Sequence, residues 1–275
     1  MEIKDVLSIV DHTEESEHAF RYAAELARQH NAGLFVSCPI PEIPPILYMA
    51  TQFNRDWLEV LVEQFKSEEG RLFEHYTGIG SEIGVDFEWW SEQGDPQGIV
   101  LDHSRYVDLI VASKSLDSDR LVGLSGAPAA FLVESKTPVI IIPEKLKKLQ
   151  PPDRIIVAWD ESSTAAKAIR QALPLLRAAD SVQLLTIGEP SRSNQADDHA
   201  TMVAYLDRHG VVAESKTVKP GKSAEQEILI SEINASNVDL LVMGAYGHAR
   251  IRELILGGMT RKILQAMPVP VFMTH

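Results

Sequence analysis

The chain has 275 residues, with 26 basic and 39 acidic side chains and a formal net charge of −13. Hydrophobic residues make up 45% and charged residues 24%, the balance of a folded globular protein rather than a disordered or fibrous one. The acidity excludes nucleic acid and anionic membrane surfaces as principal partners, since either would be approached against net repulsion.

Length alone predicts about two domains of ordinary size. A single cysteine, Cys38, cannot form an internal disulfide, so nothing calls for an oxidising compartment. No apolar run reaches the roughly 18 residues of a membrane span, and the opening MEIKDVLSIVD lacks the pattern of a secretory leader. A cytoplasmic location is the expectation.

Taken in chain order, the elements repeat. Residues 5–11, DVLSIVD, form an apolar run ending in Asp11, followed by polar and then Ala-rich helical sequence. Cys38 closes a second apolar run and reads as a small core residue. The Pro-rich segment PIPEIPP (39–45) and a long helical stretch around 54–76 follow. In that helix Trp57, Leu58, Leu61, Val62 and Phe65 have amphipathic spacing. Trp89 and Trp90 are adjacent on a strand, which sends one ring to each face. VDLIVASKS (107–115) and TPVIIIP (137–143) complete the first half, and the charged, proline-containing EKLKKLQPPD (144–153) reads as a linker.

The second half replays these landmarks: DRIIVAWD at 153–160, VDLLVMGAY at 238–246 and VPVFMTH at 269–275. The offset falls from 149 residues early to 131 late, which places an insertion between the second and third strands of the first half. Strands are expected near 154–159, 181–187, 211–217, 239–243 and 270–274. Helices are expected near 162–178, 195–209, 223–236 and 258–267. Continuous apolar runs such as IIVAW and LLVMG predict parallel strands buried on both faces. The expected fold is α/β: two tandem, doubly wound, five-stranded parallel-sheet domains, 1–148 and 149–275. Such sheets bind ligands beyond the carboxyl ends of their strands, where the strand order reverses.

The chemistry-bearing segment follows DLLVMG. Gly244 and Gly247 are separated by two residues, and Gly247 and Gly257 by nine; Gly258, Met259 and Thr260 then open a helix. Glycines allow close backbone approach to an anion, and a helix start presents free N–H groups. Arg250, Arg252, Arg261 and Lys262 surround the loop, His248 lies inside it, and Asp160 ends a strand that opens on the same crevice. This spacing points to phosphate binding. The plainer reading, glycines that only permit tight turns, holds for any one of them taken singly.

With this motif, followed by the VPVF strand and written on a duplicated α/β frame, the chain resembles the universal stress protein family in tandem form, almost end to end. The resemblance implies a Rossmann-like, adenine nucleotide alpha hydrolase-like fold. It implies ATP or a related adenine nucleotide as ligand, with Mg²⁺ as a candidate companion ion. Asp160 and Ile187 then correspond to positions that hold the nucleoside, and Met243 and Gly244 lie beside the ribose. Gly247, His248, Gly257, Gly258, Met259 and Thr260 correspond to the ribose and phosphate loop. Gly258 departs from the hydroxyl residue usual after the third glycine, which removes one phosphate contact. The resemblance also implies pairing through the last strands, further homo-oligomerisation and an unidentified regulatory protein partner.

Aligned on VDLIV and VDLLV, the first half places Ser113, Leu116 and Gly126 where the second has Gly244, Gly247 and Gly257. Ala127 and Ala129 face Gly258 and Thr260, and Asp117 and Asp119 add repulsion toward phosphate. Residues 1–148 carry 13 basic and 25 acidic side chains, net −12; residues 149–275 carry 13 and 14, net −1. A nucleotide-free first half and a ligand-holding second half are expected.

Two further motifs have plain explanations. Gly221-Lys222-Ser223 lacks the first glycine of a P-loop, Lys216 standing there, and reads as a turn with Ser223 capping a helix. Ser162 or Ser163 is the expected cap of the helix after Asp160. Three functions stand against one another: an ATP-binding regulatory protein of the stress response, a slow ATPase or autophosphorylating protein at the same loop, and a ligand-free partner-binding module. No general base or Walker-type carboxylate supports the second.

Overall fold

The computed structural model describes residues 2–41, 55–114, 135–146, 148–188, 195–221, 223–245 and 258–275. Their strands form one ten-stranded sheet. The first half supplies β1 (Asp5–Ile9), β2 (Gly33–Pro41), β3 (Glu88–Gly94), β4 (Leu109–Ser113) and β5 (Val139–Ile142). The second supplies β6 (Arg154–Ala158), β7 (Ser181–Ile187), β8 (Ala213–Val218), β9 (Leu240–Gly244) and β10 (Val271–Thr274). The spatial order is β3-β2-β1-β4-β5-β10-β9-β6-β7-β8. Every pairing is parallel except β5 with β10, where Val271, Phe272 and Met273 run antiparallel to Ile141, Ile140 and Val139. Each half is thus doubly wound in the order 3-2-1-4-5, and the last strands join the halves.

Helices cover both faces, as parallel strands require. We number them α1 (Glu14–His30), α2 (Arg55–Ile83), α3 (Pro96–His103), α4 (Ser163–Ala178), α5 (Gln195–Arg208), α6 (Glu225–Ser236) and α7 (Gly258–Ala266). Strand alternation separates two apolar layers. Val6 and Val10 join a core with residues of α1, α2, α4 and α5, whereas Leu7 and Ile9 face α3, α6 and α7. The first layer contains residues of both halves, among them Tyr22, Ala172, Ile142 and Phe272.

Local chemistry sets the element ends. Thr13 accepts from Ser16 N at 3.2 Å and Ser162 from Ala165 N at 3.1 Å, so α1 and α4 start on equivalent side-chain caps. Helices α1 and α6 stop at Asn31 and Asn237, both left-handed, with φ of 50° and 52°. The aspartate of the repeated VDL motif explains itself here. Asp108 accepts from Lys4 N and Asp5 N at 2.8 and 3.2 Å, and Asp239 accepts from Asp153 N and Arg154 N at 3.1 and 3.0 Å. Each clamps the start of its half's first strand to its fourth.

Several expectations need adjustment. The inserted helix α2 runs on to Ile83, past the expected end near 76. Strand β8 reads AESKTV and is largely exposed, because it is a sheet edge rather than a doubly buried strand. Ser223 does not cap α6: Ala224 holds the cap position, and the Glu227 carboxylate takes the Ala224 N–H at 3.3 Å. Ser223 instead closes the turn, its N–H donating to Pro220 O, with Gly221 at φ +57°. Trp89 and Trp90 do send one ring to each face, Trp89 against Phe73 and Phe87, Trp90 against Phe35 and His103. Cys38 is buried, and loss of solvation pushes its thiol up to about 12, which suits a core residue rather than a nucleophile. Beyond Pro41 the PIPEIPP segment lies outside the described residues, as do the side chains of Trp57, Leu58, Leu61 and Val62.

Candidate functional site at the strand-order reversal of the second half

Strand β6 lies between β9 and β7, so the strand order of the second half reverses between β6 and β9. The chain leaves β6 through Trp159 and Asp160, passes Glu161 at φ +62°, and enters α4. Asp160 Oδ1 accepts from Ser162 N at 3.0 Å, and the Ser162 and Thr164 hydroxyls meet at 3.0 Å. Gly244, at the end of β9, closes the cluster. A Cβ there would stand 2.6 Å from Ala165 N, 2.6 Å from the Thr164 carbonyl carbon and 2.8 Å from Thr164 Oγ1. Packing of β9 against the first turn of α4 therefore requires this glycine.

Asp160 and Gly244 are thus brought together. The side chains of Ile187 and Met259 pack on the apolar layer that contains Met243. Gly258 is the first residue of α7, Thr260 is buried at 4% exposure, and Arg261 and Lys262 are exposed on the same helix. Gly247, His248, Gly257, Arg250 and Arg252 lie outside the described residues.

Several groups carry no loop motif and escaped the sequence reading. Thr186 Oγ donates to Trp159 O at 2.9 Å and meets His199 Nε2 at 2.9 Å. Lys167 of α4 donates to the His275 carbonyl, Ala245 N donates to Thr274 O at 2.9 Å, and His275 Nδ1 reaches Ala245 O at 3.2 Å. The available signal was a threonine interrupting the apolar run VQLLTI.

The equivalent place in the first half is built differently. Asp11 Oδ1 accepts from both N–H and O–H of Thr13, and Asp11 N donates to Ser16 Oγ at 2.8 Å. Tyr76 of α2 reaches over and donates its hydroxyl to Asp11 O at 2.9 Å, with Ser16 Oγ at 3.1 Å. Burial raises the Tyr76 phenol, so it remains a donor. Beside it lies a cleft of about 390 Å³ lined by Asp11, Glu14, Glu17, Arg71 and His75. His75 pairs with Glu17, and Arg71 and His12 pair with Glu68. Leu116, Asp117, Asp119, Gly126, Ala127 and Ala129 lie outside the described residues.

The fold and this strand-end geometry define a doubly wound α/β protein in which two five-stranded halves share one sheet. Residues 152–275 match the family model described as "Universal stress protein family". A universal stress protein of Synechocystis is 28% identical over 168 residues, 60% of this chain and 56% of that relative, so the chain spans little more than half of that relative's length. The crystal structure of a universal stress protein from Archaeoglobus fulgidus DSM 4304 covers 98% of this chain and is covered to 97%, with a TM-score of 0.68 at 20% identity. A protein of unknown function from Pseudomonas aeruginosa PAO1 superposes over 99% of this chain and 92% of its own, with a TM-score of 0.59 at 12% identity. At these identities the structures speak for the fold. The second half of the chain, residues 152–275, thus matches the universal stress protein family, and the whole chain shares the fold of such proteins.

Among the described residues, no helix is long and apolar enough to cross a membrane.

Proposed function

We propose that this chain is a regulatory protein that binds ATP or a similar adenine nucleotide in its second domain, residues 149–275, beside a ligand-free first domain, residues 1–148. The observation that carries the reading is the meeting of Asp160 and Gly244 at the strand-order reversal, joined through Ser162 and Thr164. Asp160 supplies an acceptor for a ribose hydroxyl. Gly244 and the start of α7 supply backbone approach and N–H donors for phosphate, with Thr260 and the glycine motif Gly247–Gly257 completing the loop. Ile187 and Met243 offer backbone and apolar contact to the nucleoside. Occupancy changes a surface read by a regulatory partner or a second copy in the cytoplasm. In the first half the Asp11 backbone is already taken by Tyr76 and Ser16, which supports an empty site there.

Titration calorimetry of the full chain with ATP, with and without Mg²⁺, tests the proposal. Binding at or below millimolar concentration, lost in Gly247→Leu, is the expected result. No heat of binding at millimolar nucleotide, or equal affinity in the variant, overturns it.

A further inference from the structure

The strand ends that would hold the nucleoside are tied to each other by a side-chain chain that starts on α5. Thr186 immediately precedes Ile187, and Trp159 immediately precedes Asp160. The Thr186 hydroxyl lies 2.9 Å from the Trp159 carbonyl and 2.9 Å from His199 Nε2. The carbonyl can only accept, so the threonine proton goes there. His199 Nε2 must then carry a hydrogen and donate to Thr186. With its hydrogen on Nε2, neutral His199 presents Nδ1 as an acceptor, and the Ser215 and Thr217 hydroxyls of β8 both lie 3.5 Å from it. The Thr186 end places the hydrogen on Nε2, the hydroxyls of β8 can adapt to Nδ1, and four elements (β8, α5, β7 and the exit of β6) meet on one polar line. Thr186 is 6% exposed and Trp159 7%, so water does not substitute readily for these bonds.

The first half lacks this line. Val10 N donates to Ser37 O as Trp159 N donates to Leu185 O, which makes Cys38 the counterpart of Thr186. A thiol is a weak donor and cannot hold the carbonyl in the same way.

We infer that Thr186 and His199 are positioning residues for nucleoside binding in the second half: His199 orients the Thr186 hydroxyl, and Thr186 fixes the spacing between the Asp160 and Ile187 backbones. This rests on the nucleotide reading above. It adds that specificity for the adenosine moiety is set separately from grip on the phosphates, because the line ties the β6 and β7 ends together and, among the described residues, includes none of β9 or α7.

The test compares full-length wild type, Thr186→Val, Thr186→Ser and His199→Phe, each checked for native circular dichroism. The probes are adenosine, ATP and inorganic tripolyphosphate, measured by calorimetry. Amide hydrogen exchange in the peptide spanning Asp160–Ser162 is followed without ligand. Thr186→Val should weaken adenosine and ATP about tenfold each, leave tripolyphosphate within twofold, and speed exchange at Asp160–Ser162 about tenfold. His199→Phe should show the same pattern at about threefold, and Thr186→Ser should restore wild-type values within twofold. Unchanged adenosine affinity in a folded Thr186→Val, or equal weakening of tripolyphosphate, overturns the inference. If wild type binds none of the three probes, the nucleotide reading falls and the assignment to nucleoside binding falls with it; accelerated exchange then still supports the tie between the strand ends, and unchanged exchange overturns that as well.

Discussion

The two halves of this chain are one design executed with different side chains, and the differences fall at the carboxyl ends of the strands. Shared features are scaffolding: the strand order, the Thr13 and Ser162 caps, and the Asp108 and Asp239 clamps. At the strand ends the first half is closed by its own groups. Tyr76 and Ser16 occupy the Asp11 backbone, Ser113 stands at the end of β4, and Cys38 replaces a hydrogen-bonding threonine. The second half has Gly244, Thr186 and an exposed Asp160 at these places. The position that tolerates a side chain in one half and forbids it in the other separates frame from function more sharply than any motif count.

The largest expected effect comes from exchanging that position. Gly244→Ser writes the first-half residue into the second half, where its Cβ meets backbone at 2.6 Å. It should cost about 3 kcal/mol, the upper end for overpacking, read by urea unfolding. The reciprocal Ser113→Gly should cost about 1 kcal/mol or less. Equal costs would erase the asymmetry inferred at this site.

Next comes the closure of the first half. Tyr76→Phe removes the buried donor to Asp11 O and should destabilise by about 1–2 kcal/mol. The urea midpoint with m unchanged is the measurement; a neutral result would mean that the contact contributes nothing to closure.

A smaller effect distinguishes the opposite face. His103 is buried against Trp90 with Nδ1 2.9 Å from Ser37 Oγ, whereas the Ser37 counterpart Leu185 packs in an apolar layer with Leu229 and Ile233. Burial lowers the His103 pKa, with Glu92 opposing. Between the unfolded value near 6.5 and the lowered native value, the unfolded chain binds more protons. This group's contribution is therefore intact above about pH 6.5 and is lost as pH falls through that window. Thermal unfolding across pH 5–7 should show a shallower acid slope in His103→Gln than in wild type, and an unchanged slope would remove His103 as the cause.

The smallest effect tests the junction. Counted from the two caps, Tyr22 and Gln171 are equivalent; Gln171 lines a cavity of about 170 Å³, whereas the Tyr22 hydroxyl is buried without a hydrogen-bond partner among the described residues. Tyr22→Phe should be neutral or stabilising by up to about 1 kcal/mol. A clear loss in Tm would reveal a partner for that hydroxyl.

Much of the fold was legible because buried parallel strands are continuous apolar runs. IIVA, LLVM and VFMT declare themselves, and the repeat fixes their order. The edges were harder. β8 is AESKTV because one side faces water, so no apolar run marks its start. The length of α2 was underestimated because its second half, through Ile83, buries only a few residues such as Leu72, Tyr76 and Ile79. At the site, Asp160 and Gly244 could be paired from sequence because each ends a strand. The steric reason for Gly244 lies in the first turn of α4, some 80 residues away, and no spacing rule reports it. Thr186 and His199 carry no motif either, since their role arises from three strands and a helix meeting in space.

The antiparallel seam between β5 and β10 has one more consequence. In a dimer of identical single domains, twofold symmetry imposes every substitution on both partners. Covalent fusion removes that constraint: one half can lose its glycine while the other keeps it, without altering the seam. It also makes the association intramolecular, so that the pairing does not dissociate on dilution. The seam thereby turns a symmetric assembly into a two-component one encoded by a single chain, with a stoichiometry of one to one at any concentration.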